Sequence, residues 1–352
     1  MLKFTRLKTA TRPHVGKSVN MEDLLFATFT NIITNVLISR NVFDNGGEGE
    51  SDVRVQNFLN ELIEMVTTVG LTDLFPILER VDFWSKGIAM DIYHKINFIW
   101  GDLIMERRSR AITHDEIYSN STKDFLDVLD GHGFPDDQIA LVMTELLIAG
   151  TDSTTISSVW LMTELMKSQE CLDKVRREIA DKAVEGDTLN EELLLSRCPY
   201  FQACIKETLR CHIPGPLIVP HRAIDTCKVN NYTIPKDSIM LVNVWAIQMD
   251  PNNWEDATSF KPVRFLNSTY DFKGTNFDYL PFGAGQRMCH GSIAAHRGVQ
   301  LVVAYLVHYF DWSLPNGKDP SKLDTSAKFG TTLKKDKPLY MIPRPRENYI
   351  VG

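Results

Sequence analysis

The stretch Phe282-Gly283-Ala284-Gly285-Gln286-Arg287-Met288-Cys289-His290-Gly291 decides how this chain is read. It packs glycines and a lone cysteine directly ahead of an apolar run, Ser292–Tyr309, that reads as a helix. The plainest reading is a turn carrying a buried free thiol, the commonest fate of a single cysteine. A dinucleotide-binding glycine loop does not fit, because Met288 stands where the third glycine belongs. The sharper reading is a thiolate metal ligand. A cysteine just before a helix start meets unpaired backbone N–H groups and the positive end of the helix dipole, which favour S⁻ over SH. Glycines let the backbone come close to a flat, bulky partner. Arg287 adds a fixed positive charge suited to a carboxylate.

Three other constellations lie outward from this loop. Ala149-Gly150-Thr151-Asp152-Ser153-Thr154-Thr155 puts a glycine and a run of polar residues into the middle of an apolar helix expected over 136–167. Hydroxyls bonding back to carbonyls one turn earlier loosen or bend a helix. The segment is thus either a kink without chemistry, or a groove admitting O₂ and water with Asp152 and a neighbouring hydroxyl as the proton route. Glu207 and Arg210 share one helix face, which alone makes an ordinary pair worth about 0.2–0.5 kcal/mol. His221 sits in a short apolar stretch, where a histidine is usually structural.

Composition narrows the classes. The chain has 352 residues, 43% hydrophobic and 24% charged, with a net charge of −7. Collagen, coiled coil and wholesale disorder are excluded, and nucleic-acid binding has no basic excess to support it. The six cysteines, Cys171, Cys198, Cys204, Cys211, Cys227 and Cys289, form no C-x-x-C pair and are too sparse for a disulfide scaffold. Zinc ribbons and thioredoxin chemistry drop out. No run of eighteen uninterrupted apolar residues exists, so no transmembrane segment is expected. The basic residues Lys3, Arg6, Lys8, Arg12 and Lys17 read as a frayed tail rather than a leader, and Asn120, Asn231 and Asn267 as chance sequons.

Hydrophobic periodicity predicts helices over 20–42, 53–69, 88–110, 136–167, 171–183, 200–211 and 292–309. Short strands are expected at 218–219, 227–229 and 239–244, split by Asn230-Asn231 and Pro235-Lys236-Asp237, and again around 312–314 and 331–333. The loop at 45–50 and the segments 71–82 and 119–122 read as connections. The expectation is a mainly α chain with small β-sheets, an α+β class. Its organisation is a basic tail, 1–19, followed by a single domain over 20–352.

The Phe282–Gly291 string resembles, position for position, the F-x-x-G-x-R-x-C-x-G signature of the cytochrome P-450 superfamily of haem-thiolate monooxygenases. The central helix resembles the family's A/G-G-x-D/E-T-T/S motif, with Ser153 in the alcohol position and Thr154 following. Glu207-Thr208-Leu209-Arg210 is similar to the family's E-x-x-R, and Pro262-Val263-Arg264-Phe265 to its P-x-R-F, with Val263 in place of the usual Glu. Finer strings resemble a plant branch containing geraniol hydroxylase and ferruginol synthase: Pro214 to Ala223, Leu241 to Ile247, Ala295-His296-Arg297 and Phe310-Asp311-Trp312. His290 departs from that branch's usual Pro.

The resemblance implies haem b bound by the Cys289 thiolate. Phe282, Gly283, Gly285 and Gly291 would shape the loop, with Arg287 and His221 serving the propionates. It implies Asp152, Ser153 and Thr154 in oxygen activation, and a scaffolding network of Glu207, Arg210 and Arg264. Leu147, Ala149, Leu217, Ile218 and Thr331 become substrate-facing candidates, against the alternative that they are core. The thiolate would donate electron density to the iron and favour O–O cleavage. The implied reaction inserts one oxygen atom of O₂ into a C–H bond of a small lipophilic plant metabolite, a terpenoid. Electrons would come from NADPH through NADPH–cytochrome P-450 reductase, at the cytosolic face of the endoplasmic reticulum membrane. The resemblance starts at Asn20 and covers the later two-thirds of a family member. The chain is therefore expected to lack the family's N-terminal anchor, early sheet and early helices. The alternative function is a non-catalytic, truncated haem-protein fragment.

Overall fold

The computed structural model describes residues 15–43, 59, 61–62, 83–112, 123–182, 194, 197–330 and 332–346. The expected helix over 53–69 and the connections at 45–50, 71–82 and 119–122 lie largely or wholly outside the described residues. In chain order the principal elements begin with strand β1 (Val19–Asn20) and helix α1 (Met21–Ile38). Helices α2 (Phe83–Ile112), α3 (Phe125–Gly131), α4 (Asp136–Lys167), α5 (Gln169–Lys182) and α6 (Pro199–Cys211) follow. Then come strands β2 (His221–Arg222), β3 (Cys227–Val229), β4 (Tyr232–Ile234) and β5 (Ile239–Met240), and helix α7 (Val244–Gln248). Last in order are α8 (Ser292–Tyr309), β6 (Phe310–Ser313), β7 (Ala327–Lys328), β8 (Lys334–Lys335) and β9 (Tyr340–Pro345). It is the mainly α arrangement with small antiparallel sheets that the periodicity predicts.

Among the described residues the chain divides into two compact units, one on 26–152 and one on 15–25 with 153–346; the division falls within α1 and within α4. In the first unit, Phe26, Phe43, Ile96, Trp100, Ile104, Leu126, Ile139 and Met143 form one apolar cluster. Trp100, Thr144 and Arg107 bring polar groups to this core and find partners there. The Trp100 indole donates to Thr144 Oγ1 at 2.8 Å, and that hydroxyl donates to Ala140 O at 2.8 Å. Arg107 donates to Asp124 at 2.9 Å, to Asp127 at 3.0 Å and to the Ile38 carbonyl at 3.1 Å. Asp124 also caps α3, accepting from the Asp127 amide in a capping box.

In the second unit a three-stranded sheet has the order β1-β9-β6. Strand β6 alternates, with Phe310 and Trp312 inward and Asp311 and Ser313 outward. The central strand β9 carries Pro343 and Pro345, which cannot donate to a ladder, and this hides it from a sequence reading. The remaining sheets are two-stranded: β2 with β5, β3 with β4, and β7 with β8.

Helix α4 starts and stops where the sequence predicts, with Asp136 and Asp137 in the first turn and Lys167 in the last. It runs unbroken through the polar segment. Ser157 donates to Ser153 O and Ser158 to Thr154 O, each at 2.8 Å, so these hydroxyls are spent on the helix's own carbonyls. Among the described residues, α1 and α4 are long and apolar enough to cross a bilayer, with windows of mean hydropathy 1.2 and 1.3. The count of uninterrupted apolar residues above is a stricter measure that neither meets. About half of each window is buried in the fold, 56% and 50%.

Candidate haem-thiolate site

The loop ahead of α8 closes on itself. Gly283 N–H donates to Leu280 O at 3.1 Å, Met288 N–H to Gly285 O at 3.2 Å, and Cys289 N–H to Phe282 O at 2.9 Å. The backbone turns this tightly because Gly283 and Gly285 take φ of +73° and +70°, a region costly to side chains. Gly274 allows a second close approach. A Cβ there would stand 2.8 Å from the Gly283 carbonyl oxygen and 2.9 Å from Ala284 Cα. Gly291 is the N-cap of α8 and carries no side-chain cap, and a Cβ on it would meet Cys289 Sγ at 3.9 Å. The result is an exposed thiol on a rigid loop at a helix start.

The other cysteines differ. Cys198, Cys204 and Cys211 are buried. Burial pushes the Cys198 thiol up to about 12 and moves the other two the same way, so all three stay protonated. Cys171 is half-buried and accepts a hydrogen bond from Tyr200 at 3.3 Å, and Cys227 lies exposed in the β3–β4 hairpin. No three His, Cys, Asp or Glu gather as metal ligands among the described residues.

The remaining sequence candidates are distributed as follows. Arg287 is exposed on the short 3₁₀ turn Gly285–Arg287, and Phe282 is half-buried beside it. His221 pairs with Met240 across β2 and β5, and its Nδ1 is buried with no hydrogen-bond partner among the described residues. Ile218 is half-buried at φ +47°, an outlier for a β-branched residue, and its Cγ2 is 3.9 Å from where a Cβ on Gly283 would stand. Leu217 is half-buried too, while Ala149 is exposed. Asp152 and Thr154 are buried and Ser153 half-buried in mid-α4. Leu147 belongs to the apolar cluster of the first unit, one helical turn beyond Met143. Thr331 lies outside the described residues.

The structure brings Glu207, Arg210 and Arg264 together. Arg210 donates to Glu207 at 2.8 and 2.9 Å, and Arg264 donates to it at 3.0 Å. The Lys261 amide supplies a further donor at 2.8 Å. Burial works to lower the pKa of the Arg210 guanidinium, but its bonds to Glu207 prevail and leave it raised. Two participants were not visible in the sequence. Trp254 lies under both guanidiniums, at 5.2 and 5.9 Å. The fully buried Gln248 donates to the Leu209 and Arg210 carbonyls and accepts the Leu280 amide at 2.9 Å, joining α6 to the start of the cysteine loop. Neither stands at a spacing that marks it.

A thiol left open by glycine, a nearby turn bearing arginine and an orphaned buried imidazole nitrogen suit a flat, anionic, metal-bearing ligand. Comparison with known families agrees: the cytochrome P-450 family model matches residues 4–341. The chain is a cytochrome P-450. It is 39% identical over 338 residues to (S)-N-methylcoclaurine 3'-hydroxylase isozyme 1 of Papaver somniferum, covering 96% of this chain and 69% of that protein. Iridoid oxidase of Catharanthus roseus is 36% identical over 342 residues, 94% of this chain and 65% of the relative. Flavonoid 3'-monooxygenase of Petunia hybrida is 34% identical over 361 residues, 97% and 69%. Membership makes this P-450 a haem-dependent monooxygenase that uses O₂, a small substrate and a redox partner.

Proposed function

We propose that Cys289 is the haem ligand and that the protein hydroxylates a small lipophilic plant metabolite, with electrons passed from NADPH by NADPH–cytochrome P-450 reductase. The observation that carries this reading is the contrast in thiols: Cys289 is held open on a closed, glycine-framed loop, while Cys198, Cys204 and Cys211 are sealed and protonated. Haem supplies the oxygen chemistry, and the protein supplies its placement and protons. Cys289 would hold the iron, its amide fixed by the Phe282 carbonyl. Arg287 and His221 would take the propionates, which would give the orphaned Nδ1 of His221 an acceptor. Asp152, Ser153 and Thr154 pass protons inward from mid-α4. Ile218 and Leu217 present apolar surface to the substrate and exclude water from it. Glu207, Arg210 and Arg264 hold α6 and touch no reactant.

The family's site of action, the cytosolic face of the endoplasmic reticulum membrane, is proposed for this chain as well, as is the working of 20–352 as one domain. The substrate is proposed from the relatives. Their names point to N-methylcoclaurine, an iridoid and a flavonoid, so a ring-bearing alkaloid stands beside the terpenoid expected from sequence. The test is haem-loaded protein with the reductase, NADPH and either geraniol or N-methylcoclaurine. An oxygenated product from one of them, matched to NADPH consumed, supports the reading. Haem binding without NADPH-dependent product from either contradicts it.

A further inference from the structure

His296 sits on α8, the helix that leads away from the cysteine loop, and simple packing does not account for it. It is 6% exposed, and its Nδ1 is shut away from solvent with no hydrogen-bond partner among the described residues. An unpaired buried nitrogen costs stability that an aliphatic side chain in the same place would not. Burial, helped by the charges of Lys206 and Arg297, pushes the imidazole down to about 4, so the ring is neutral at neutral pH. What the ring does touch is aromatic. Its centroid lies 4.5 Å from that of Phe272, with the planes tilted by 38°. Phe272 in turn stands edge-on to Phe282, at 5.8 Å and 72°. Phe282 is the residue whose carbonyl holds the Cys289 amide at 2.9 Å.

We infer that His296 is a positioning residue for Cys289: its ring clamps Phe272 against Phe282, and so fixes the carbonyl that anchors the cysteine and the direction in which the thiolate is presented. A planar ring sets the tilt of the ring it packs on, which an aliphatic chain of similar volume does not. A haem's potential depends on its axial ligand and on the hydrogen bonding around that ligand, so loosening the clamp registers at the iron. The inference rests on the reading of Cys289 as the haem ligand.

The molecule contains its own control. His308 lies on the same helix, is likewise buried, and is also pushed down to about 4 by burial, but its ring packs on Tyr309 at 4.8 Å. The experiment compares haem-loaded full chains carrying His296→Leu, His296→Phe, Phe272→Leu or His308→Leu. Three quantities are read: the Soret position of the reduced carbon-monoxide complex, the midpoint potential and the melting temperature. His296→Leu and Phe272→Leu are expected to change the reduction equilibrium about tenfold, which is about 59 mV for one electron. His296→Phe, which keeps a ring, should hold the potential of the unmodified protein. His308→Leu should move the melting temperature alone. If His296→Leu fails to fold, Phe272→Leu and His296→Phe still decide. A potential unmoved by loss of either ring overturns the inference while the ligand assignment stands. An unmodified protein with no thiolate spectrum overturns both.

Discussion

The cysteine loop and the Glu207 network solve opposite problems with similar residues. Both use arginine, the network from helix α6 and a short 3₁₀ turn, the loop from a glycine-framed turn. In the network Arg210 and Glu207 are fully buried, and their donors and acceptors meet Arg264, one another, main-chain groups or the Cys211 and Met249 sulfurs. In the loop the groups of interest stay open, with Cys289 and Arg287 exposed. A saturated buried network holds shape, because removing one partner strands the other. An open set of donors on a rigid frame binds what comes from outside. Side-chain type alone does not separate the two cases; burial and partner count do.

The largest effect that could break this comparison is predicted inside the network. Arg210→Leu leaves Glu207 charged and buried without its main partner, at a cost of about 3–5 kcal/mol. Urea unfolding of the variant should show that loss, and a cost within error of zero would mean the network is not scaffold. Next is Ser153→Ala combined with Thr154→Ala. It should leave haem binding intact but cut product formed per NADPH on the order of a hundredfold, the scale of a positioned proton donor. The missing equivalents should appear as peroxide. Unaltered coupling would reduce these hydroxyls to helix decoration.

A third effect, smaller for each residue than the loss expected inside the network, sharpens the comparison through pH. His296 and His308 are held neutral, with folded values near 4 against an ordinary 6.5. Below about 6.5 the unfolded chain takes up protons that the folded one refuses. Their stabilising share is therefore complete above that pH and fades as the pH falls towards 4. Each should account for a loss of about 3 kcal/mol, since every pH unit between the two values is worth about 1.36 kcal/mol. Thermal melts from pH 7 to pH 4 should show the fall, and a double His296→Phe, His308→Phe variant should flatten it. The smallest effect is outside both regions: Glu170→Gln breaks the exposed pair with Lys174 and should leave the melting temperature unchanged.

Much of this was legible beforehand, for identifiable reasons. The limits of α4 follow from Pro135 and Asp136 at one end and Lys167 at the other, and α8 begins at the break set by Gly291. The Glu207–Arg210 pair was visible from its spacing; the third member, Arg264, lies in another segment and needed the family resemblance. Strand β9 was missed because its prolines forbid a regular donor pattern, and β1 because two residues carry no periodicity. Leu147, which the sequence offers either to the substrate or to the core, belongs with Ile139 and Met143 to one apolar cluster. Gln248 and Phe272 matter through partners far along the chain, the Leu280 amide and His296, which no local pattern announces.

The central claim is that Cys289, and no other thiol in this chain, binds the haem iron. The direct measurement is the carbon-monoxide difference spectrum of the reduced, haem-loaded protein, compared among the unmodified chain, Cys289→Ser and Cys198→Ser. A strong red shift of the Soret band, kept in Cys198→Ser and lost in Cys289→Ser, is the predicted result. A red-shifted band that survives Cys289→Ser would contradict the account.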